Sequence, residues 1–489
     1  MPSPPCSRRE FAGLAAVGAL ALGAGVARAA ATSAPAAATR RGIWKIIRRP
    51  RALEAPLDAP AGETWRYLLS YPFQVGPNTA ALYLNLKQYL FQAQDFESGL
   101  DVVTFDRLED IRADRAVAVC RKEIAPNPNN GGLPALINKY PGQLGFVPFG
   151  AKRADGQPHP HAGTGFALVA TAARPLDHSE GFATMPDRIG IPLYRGAKQH
   201  LTLELYQLRY DGTRFTVGPR EVLLGPDLLP SSGYTFENGG MGCAIADGDD
   251  LIAGMKGKPR DGKADACGLM RWRRTGGAWR PAAFTAITPE DDSLEPTLVR
   301  DVDGGLLMHV RARRHLGPPI RVWRQPAAGQ PWQQCIHLNR MIPSTPVTIN
   351  RAADGTPFLA CNLYQPEFKL PAGLVSDGGI SRLEPVGWRG ERSTLCVMPL
   401  NEARDGFDAQ FIARDPRTEF GLPPHGTVWA VDHGTASPLR LADGQWRCFM
   451  GYRLLEWKEN THFIPPSPQT GTYLDEVVSF GTPAPLWNF

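Results

Sequence analysis

An Asp-Gly dipeptide flanked on both sides by short apolar runs recurs four times in one register. Asp247-Gly248 lies in GCAIADGDDLIAGM, Asp303-Gly304 in TLVRDVDGGLLMHVR, Asp354-Gly355 in VTINRAADGTPFLACN and Asp443-Gly444 in SPLRLADGQWRCFMGYR. Asp and Gly accept the positive φ angles of a tight hairpin cheaply, so this pattern is a strong local signal for paired strands. The first three pairs are 56 and 51 residues apart, and the last gap of 89 residues holds one repeat plus an insertion. Four-stranded units repeating at that period make an all-β propeller.

Aromatic residues mark the outer hairpins of the same units: Phe215, Trp279, Trp332 and Trp388, with Trp446 close enough to Asp443-Gly444 to belong to an inner hairpin instead. Five blades follow from residue 155 onward. Strand-like TWRYLLSYPF and AALYLNL before residue 150 add one or two, giving six blades, or alternatively seven. Leu84 to Asp95 has the spacing of a short helix. The final TYLDEVVSF is expected to close the ring by pairing with an early strand. With 51 Gly and 46 Pro in 489 residues, the composition suits many short strands and turns.

The N-terminus divides from the rest. Arg8-Arg9, the weakly hydrophobic run Leu14 to Val26 and Ala27-Arg28-Ala29 have the layout of a twin-arginine export signal with its cleavage site. The run is 13 residues, short of the ~20 that a membrane span requires. The expected domains are therefore a signal over 1–29, a low-complexity and basic linker over 30–51, and one propeller over 52–489. The destination is the periplasm or the exterior, with no integral membrane segment after signal removal. Cleavage takes away three arginines and one glutamate, lowering the formal charge from +5 to about +3. That near-neutral balance, without a P-loop, dinucleotide fingerprint or Ser-elbow, argues against nucleic acid as a partner. Seven cysteines remain after Cys6 leaves, none in a C-x-x-C pair, and most lie in apolar strand patterns that suit buried thiols.

In a propeller the innermost strands run along a common axis, so residues at their entry ends converge. Counting back from each Asp-Gly gives Glu237, Glu295, Thr345 and His433, and the weaker repeat HAGTGFALV adds His161. Counting forward gives Met255, Arg311, Asn362 and Gly451, the last followed by Tyr452 and Arg453. Two glutamates, two histidines and an arginine from distant positions form the expected axial site. Ordinary strand-end polar residues are the bland alternative.

Ser293-Leu294-Glu295-Pro296-Thr297-Leu298-Val299, Asp303-Gly304 and the run to Arg311 resemble the central blade of sialidase-like propellers, the BNR or Asp-box family. Arg321 to Trp332 is similar to that family's Asp-box hairpin, without its Ser and Asp. The resemblance implies Glu295 as the base that activates a tyrosine nucleophile, with Tyr452 or Tyr473 as candidates. It implies Arg311 or Arg313, with Arg453, as arms for a substrate carboxylate. No uninterrupted Arg-Ile-Pro motif accompanies it. The resulting expectation is a glycoside hydrolase acting on an acidic oligo- or polysaccharide, with no cofactor.

Two other readings stay open. Related propellers include polysaccharide lyases, in which His and Tyr act as base and acid while Arg neutralises a uronate. Here His159 and His161, with His178 or His200 and Tyr206, would serve. Those two histidines equally suit a structural loop or, less well, a metal pair. Glu237 and Glu295, on adjacent inner strands, could instead act as the paired carboxylates of a glycosidase. The remaining alternative is a non-catalytic glycan-binding propeller. Oligomeric state is not legible.

Overall fold

The computed structural model describes residues 45–47, 51–53, 57–59, 61, 64–89, 97–127, 131–175, 182–184, 192–194, 199–237, 241–262, 264–289, 293–312, 320–338, 345–362, 392, 394–421, 428–457 and 467–479. The twin-arginine segment, Trp388, His178, Asp291, Asp292 and Arg313 lie outside them.

Six antiparallel sheets surround one axis. Blade I is Thr64–Gln74, Ala80–Tyr89, Glu97–Phe105 and Ala116–Arg121. Blade II runs from Pro134–Val147, with Glu123–Pro126 on its edge, through Thr164–Pro175 and Gln199–Tyr210 to Phe215–Val217. Blade III has a divided inner strand, Tyr234–Thr235 and Ile245–Asp247, then Asp250–Pro259, Ala266–Thr275 and Ala278–Ala286. Blade IV is Ser293–Arg300, Leu306–Ala312, Ile320–Gln325 and Gln333–Leu338. Blade V is Thr348–Arg351, Pro357–Asn362, Leu395–Pro399 and Phe411–Arg414. Blade VI takes Val428–Arg440, Trp446–Trp457 and Gly471–Val478 from the end of the chain and its outer strands, Lys45–Ile47 and Arg51–Leu53, from the beginning. The ring thus closes as the sequence predicts, and the basic stretch supplies part of the closing strand.

The four Asp-Gly turns are the hairpins between first and second strands. Gly248, Gly304, Gly355 and Gly444 have φ between 65° and 89°, a region in which a Cβ would be strained. In three of them the Asp carboxylate accepts the backbone N–H two residues on: Gly305 from Asp303 at 3.0 Å, Thr356 from Asp354 at 2.9 Å and Gln445 from Asp443 at 3.1 Å. Trp446 follows an inner hairpin, while Phe215, Trp279 and Trp332 follow outer ones. Leu84 is not helical. Its segment forms the second strand of blade I to Tyr89, where cross-strand burial overrides helical spacing.

The hydrophobic core lies between the blades. One cluster of buried side chains fills each junction: Tyr83 and Phe146 between I and II, Phe166 and Trp272 between II and III, Ile252 and Met308 between III and IV. Val322 and Ile349 join IV to V, Phe358 and Trp429 join V to VI, and Leu82 and Phe449 join VI to I. All seven cysteines among the described residues are free thiols and five are buried. Among the described residues, no helix is long and apolar enough to cross a membrane.

Because the first strands complete blade VI by pairing with Gly471–Val478, removing residues 1–53 leaves that edge bare. Differential scanning fluorimetry should show Tm lower by about 5 °C or more, with concentration-dependent aggregation. An unchanged transition would mean that this closure contributes little.

Candidate active site

Inner-strand bulges recur around the ring, and those of blades IV and VI place a non-glycine residue at positive φ. In blade IV, Leu294 pairs with Arg311 and Thr297 with His309, so Glu295-Pro296 oppose one residue. In blade VI, Asp432 pairs with Arg453 and Thr435 with Gly451, so His433-Gly434 do likewise. Each is a β-bulge, which breaks pleat alternation and re-aims a side chain. Glu295 has φ 46° and His433 φ 59°, conformations that cost a non-glycine residue about 1–3 kcal/mol. For Glu295 the strain also opposes the extended preference of a residue before proline.

The bulges bring two non-adjacent blades together at the axis. Arg311 Nη1 donates to Glu295 Oε2 at 2.7 Å, and the Glu295 side chain stays 27% exposed. Burial raises the Glu295 carboxyl, but Arg311, His433 and Arg392 outweigh it and hold it below its ordinary value. Asp432 is fully buried beside His433. It accepts from Arg392 Nη1 at 2.9 Å, from Arg453 Nη2 at 3.2 Å and from Arg453 Nε. Burial disfavours its charge, yet Arg453, His433 and Arg392 keep its carboxyl well below the usual range.

His433 Nδ1 lies 2.6 Å from Asp432 Oδ1. Beside an ionised carboxylate, that nitrogen is the protonated one, which leaves the Nε2 lone pair free. Burial and then Arg453 push the imidazole down to about 4, against the pull of Asp432 and Glu295. The site at neutral pH is therefore an ionised Glu295 facing a neutral histidine oriented by a buried aspartate.

Of the residues expected from sequence, Glu295, Arg311, His433 and Arg453 meet here. The others do not. Glu237 is exposed at the end of the first inner segment of blade III, and no described contact links it to Glu295. His161 and His159 sit on the connection before Thr164–Pro175, a second strand rather than an inner one, and hence at the opposite end of the axis. His159 Nε2 is 3.2 Å from the Gly248 carbonyl, and His161 packs edge-on against Trp279. Tyr452 is buried between blades V and VI. Its hydroxyl donates to Asp475 at 2.8 Å and accepts from Arg414 at 3.2 Å, and burial first, then Asp475, push it far above its ordinary value. It is not an axial nucleophile. Tyr473 stacks on it with its hydroxyl on the Gln469 carbonyl. Asn362 is a tether, donating to the Thr394 and Val431 carbonyls at 2.7 and 2.8 Å. Tyr206 is buried against Glu204, 2.7 Å away.

Sequence reading missed Asp432 and Arg392. The signal for Asp432 was its place directly before His433; Arg392 follows the long stretch after Asn362 and carried none.

No family model matches the chain, and no curated protein matches it. Among solved structures, a Dyadobacter fermentans protein of unknown function is similar with TM-score 0.47 and 12% identity, over 91% of this chain and 99% of that one. The intramolecular trans-sialidase of Ruminococcus gnavus is similar with TM-score 0.46 and 10% identity, over 85% and 94%. An α-L-arabinanase of Penicillium chrysogenum is similar with TM-score 0.42 and 12% identity, over 89% and 98%.

Asp432→Asn removes the counter-charge of two buried arginines, which should cost about 3–5 kcal/mol in a urea unfolding curve. Because the folded carboxyl is depressed, this stabilisation is complete above the unfolded value of about 3.9 and is lost as pH falls towards the lower folded one. An unchanged midpoint would remove Asp432 as the anchor.

Proposed function

We propose that the chain is an exported carbohydrate-active enzyme that hydrolyses a glycosidic bond in an acidic glycan at the axial site. The supporting observation is the pair of strained bulges that set an ionised carboxylate opposite an Asp-oriented neutral histidine. Strain of this kind persists only where the surrounding structure enforces it, and it clusters at functional sites. In this reading His433 Nε2 takes a proton from water while the water oxygen adds to the anomeric carbon. The bond to the leaving oxygen breaks, that oxygen takes a proton from solvent water, and the His433 imidazolium later returns its proton to solvent. Asp432 stabilises the imidazolium formed, and Glu295 stabilises the oxocarbenium-like charge. In this reading Arg311, paired with Glu295 through Nη1, would meet a substrate carboxylate with the rest of its guanidinium. The twin-arginine segment supports delivery to the periplasm or the exterior.

A neutral histidine among arginines also suits β-elimination of a uronate, in which His433 would remove the proton α to the carboxylate. The product separates the two: new reducing ends alone mean hydrolysis, and ultraviolet absorbance of an unsaturated uronate means elimination. On a panel of acidic oligosaccharides, Glu295→Gln and His433→Asn should each lower kcat/KM by about 10²–10⁴-fold with unchanged circular dichroism. The rate should fall as pH drops through about 4, because the base must be unprotonated. Binding without turnover by the parent protein would leave a glycan-binding propeller and refute the catalytic reading.

A further inference from the structure

The other half of the axis holds a cavity of about 550 Å³, the size of an ordinary small-molecule site. All six inner strands line it, past Thr297, Thr348 and Thr435, and Gly248 and Gly304 of the Asp-Gly hairpins stand at its rim. It therefore opens on the face opposite Glu295 and His433.

Most polar groups in its wall already have partners. Gln74 donates to the Gly76 and Arg440 carbonyls at 2.6 and 2.8 Å, and Asn350 accepts from Ala436 at 2.7 Å. The Thr297 hydroxyl accepts from Ile349 at 2.8 Å. Its carboxylates are already paired with arginines, Asp247 with Arg300 of the wall at 3.0 Å among them. Arg404 holds Asp301 through two nitrogens at 2.8 and 2.7 Å, and Arg271 holds Asp247 at 2.6 Å.

Arg351 is the charged exception. Three arginines stand four residues before a hairpin glycine: Arg300, Arg351 and Arg440. Arg300 donates to the Gly304 carbonyl at 3.0 Å and Arg440 to the Gly444 carbonyl at 3.1 Å. The Arg351 side chain makes no hydrogen bond or ion pair among the described residues, and its Nε is buried without an acceptor. Burial, and Arg300 beside it, lower its affinity for its proton despite Asp301. A partly buried cation without a partner is costly, and an oxyanion is the group a guanidinium fork pairs with best.

We infer that this cavity is a second binding site, for a compact organic carboxylate of monosaccharide size whose oxyanion pairs with Arg351. Tyr71 and Phe146 make part of the wall apolar, and Ser437, also in the wall, makes no side-chain hydrogen bond among the described residues. The inference is independent of the chemistry assigned to the entry-side site.

Calorimetry and thermal shift with the full chain test it, using glucuronate, glucose and sulfate as probes. Glucuronate should bind and raise Tm, and glucose should not. Arg351→Gln should weaken glucuronate at least tenfold, while Glu295→Gln should leave it unchanged. If Arg351→Gln fails to fold, Ser437→Phe, which fills the cavity, should abolish the same binding. Equal binding by Arg351→Gln, loss of binding in Glu295→Gln, or no glucuronate binding by the parent would overturn the site. Sulfate matching glucuronate would overturn a sugar-sized ligand.

Discussion

Neighbouring inner strands in the second half of the ring are joined by threonine side chains that reach one another's backbone. Thr297 accepts from Ile349 of blade V, Thr348 donates to the Gly434 carbonyl of blade VI, and Thr435 donates to the Ser70 carbonyl of blade I at 2.6 Å. The link between blades II and III is different in kind: Ala244 donates to the Leu144 carbonyl at 2.6 Å, and Gln143 to the Gly254 carbonyl at 2.8 Å. These links fix how closely the strands approach the axis. Everything nearer the entry end is built on that collar.

Thr297 and Thr435 each lie two residues after a bulged residue, Glu295 and His433. The collar therefore holds the strand immediately beyond the strained position, where relaxation would otherwise begin. The bulge alone would let the side chain swing; the collar alone would leave it on the pleat. Together they present a carboxylate and an imidazole from blades IV and VI to the same space. The buried Asp432 then does two jobs at once, holding Arg453 and Arg392 and fixing the tautomer of His433.

The legible parts of this architecture are those governed by local chemistry. An Asp-Gly turn needs only its own φ angles and an Asp carboxylate, so blades III to VI could be registered without tertiary knowledge. Register then carried Glu295, Arg311 and His433 to the right end of the axis. It failed where the chain departs from the repeat. Blade II replaces the tight turn with the connection 148–163, which displaced His159 and His161 to the wrong end. Blade III interrupts its inner strand between Thr235 and Ile245, and Glu237 goes with the interruption. Tyr452 was one step along a pleat from Gly451, and one step reverses the face. Arg392 reaches Asp432 only through folding, and no spacing encodes that.

Nitrogen-15 NMR of the imidazole tests directly whether His433 is a neutral base locked by Asp432. The account predicts a protonated Nδ1 and a bare Nε2, with a single titration near 4. A ring titrating close to the ordinary histidine value of about 6.5, or protonated on Nε2 instead, would contradict it.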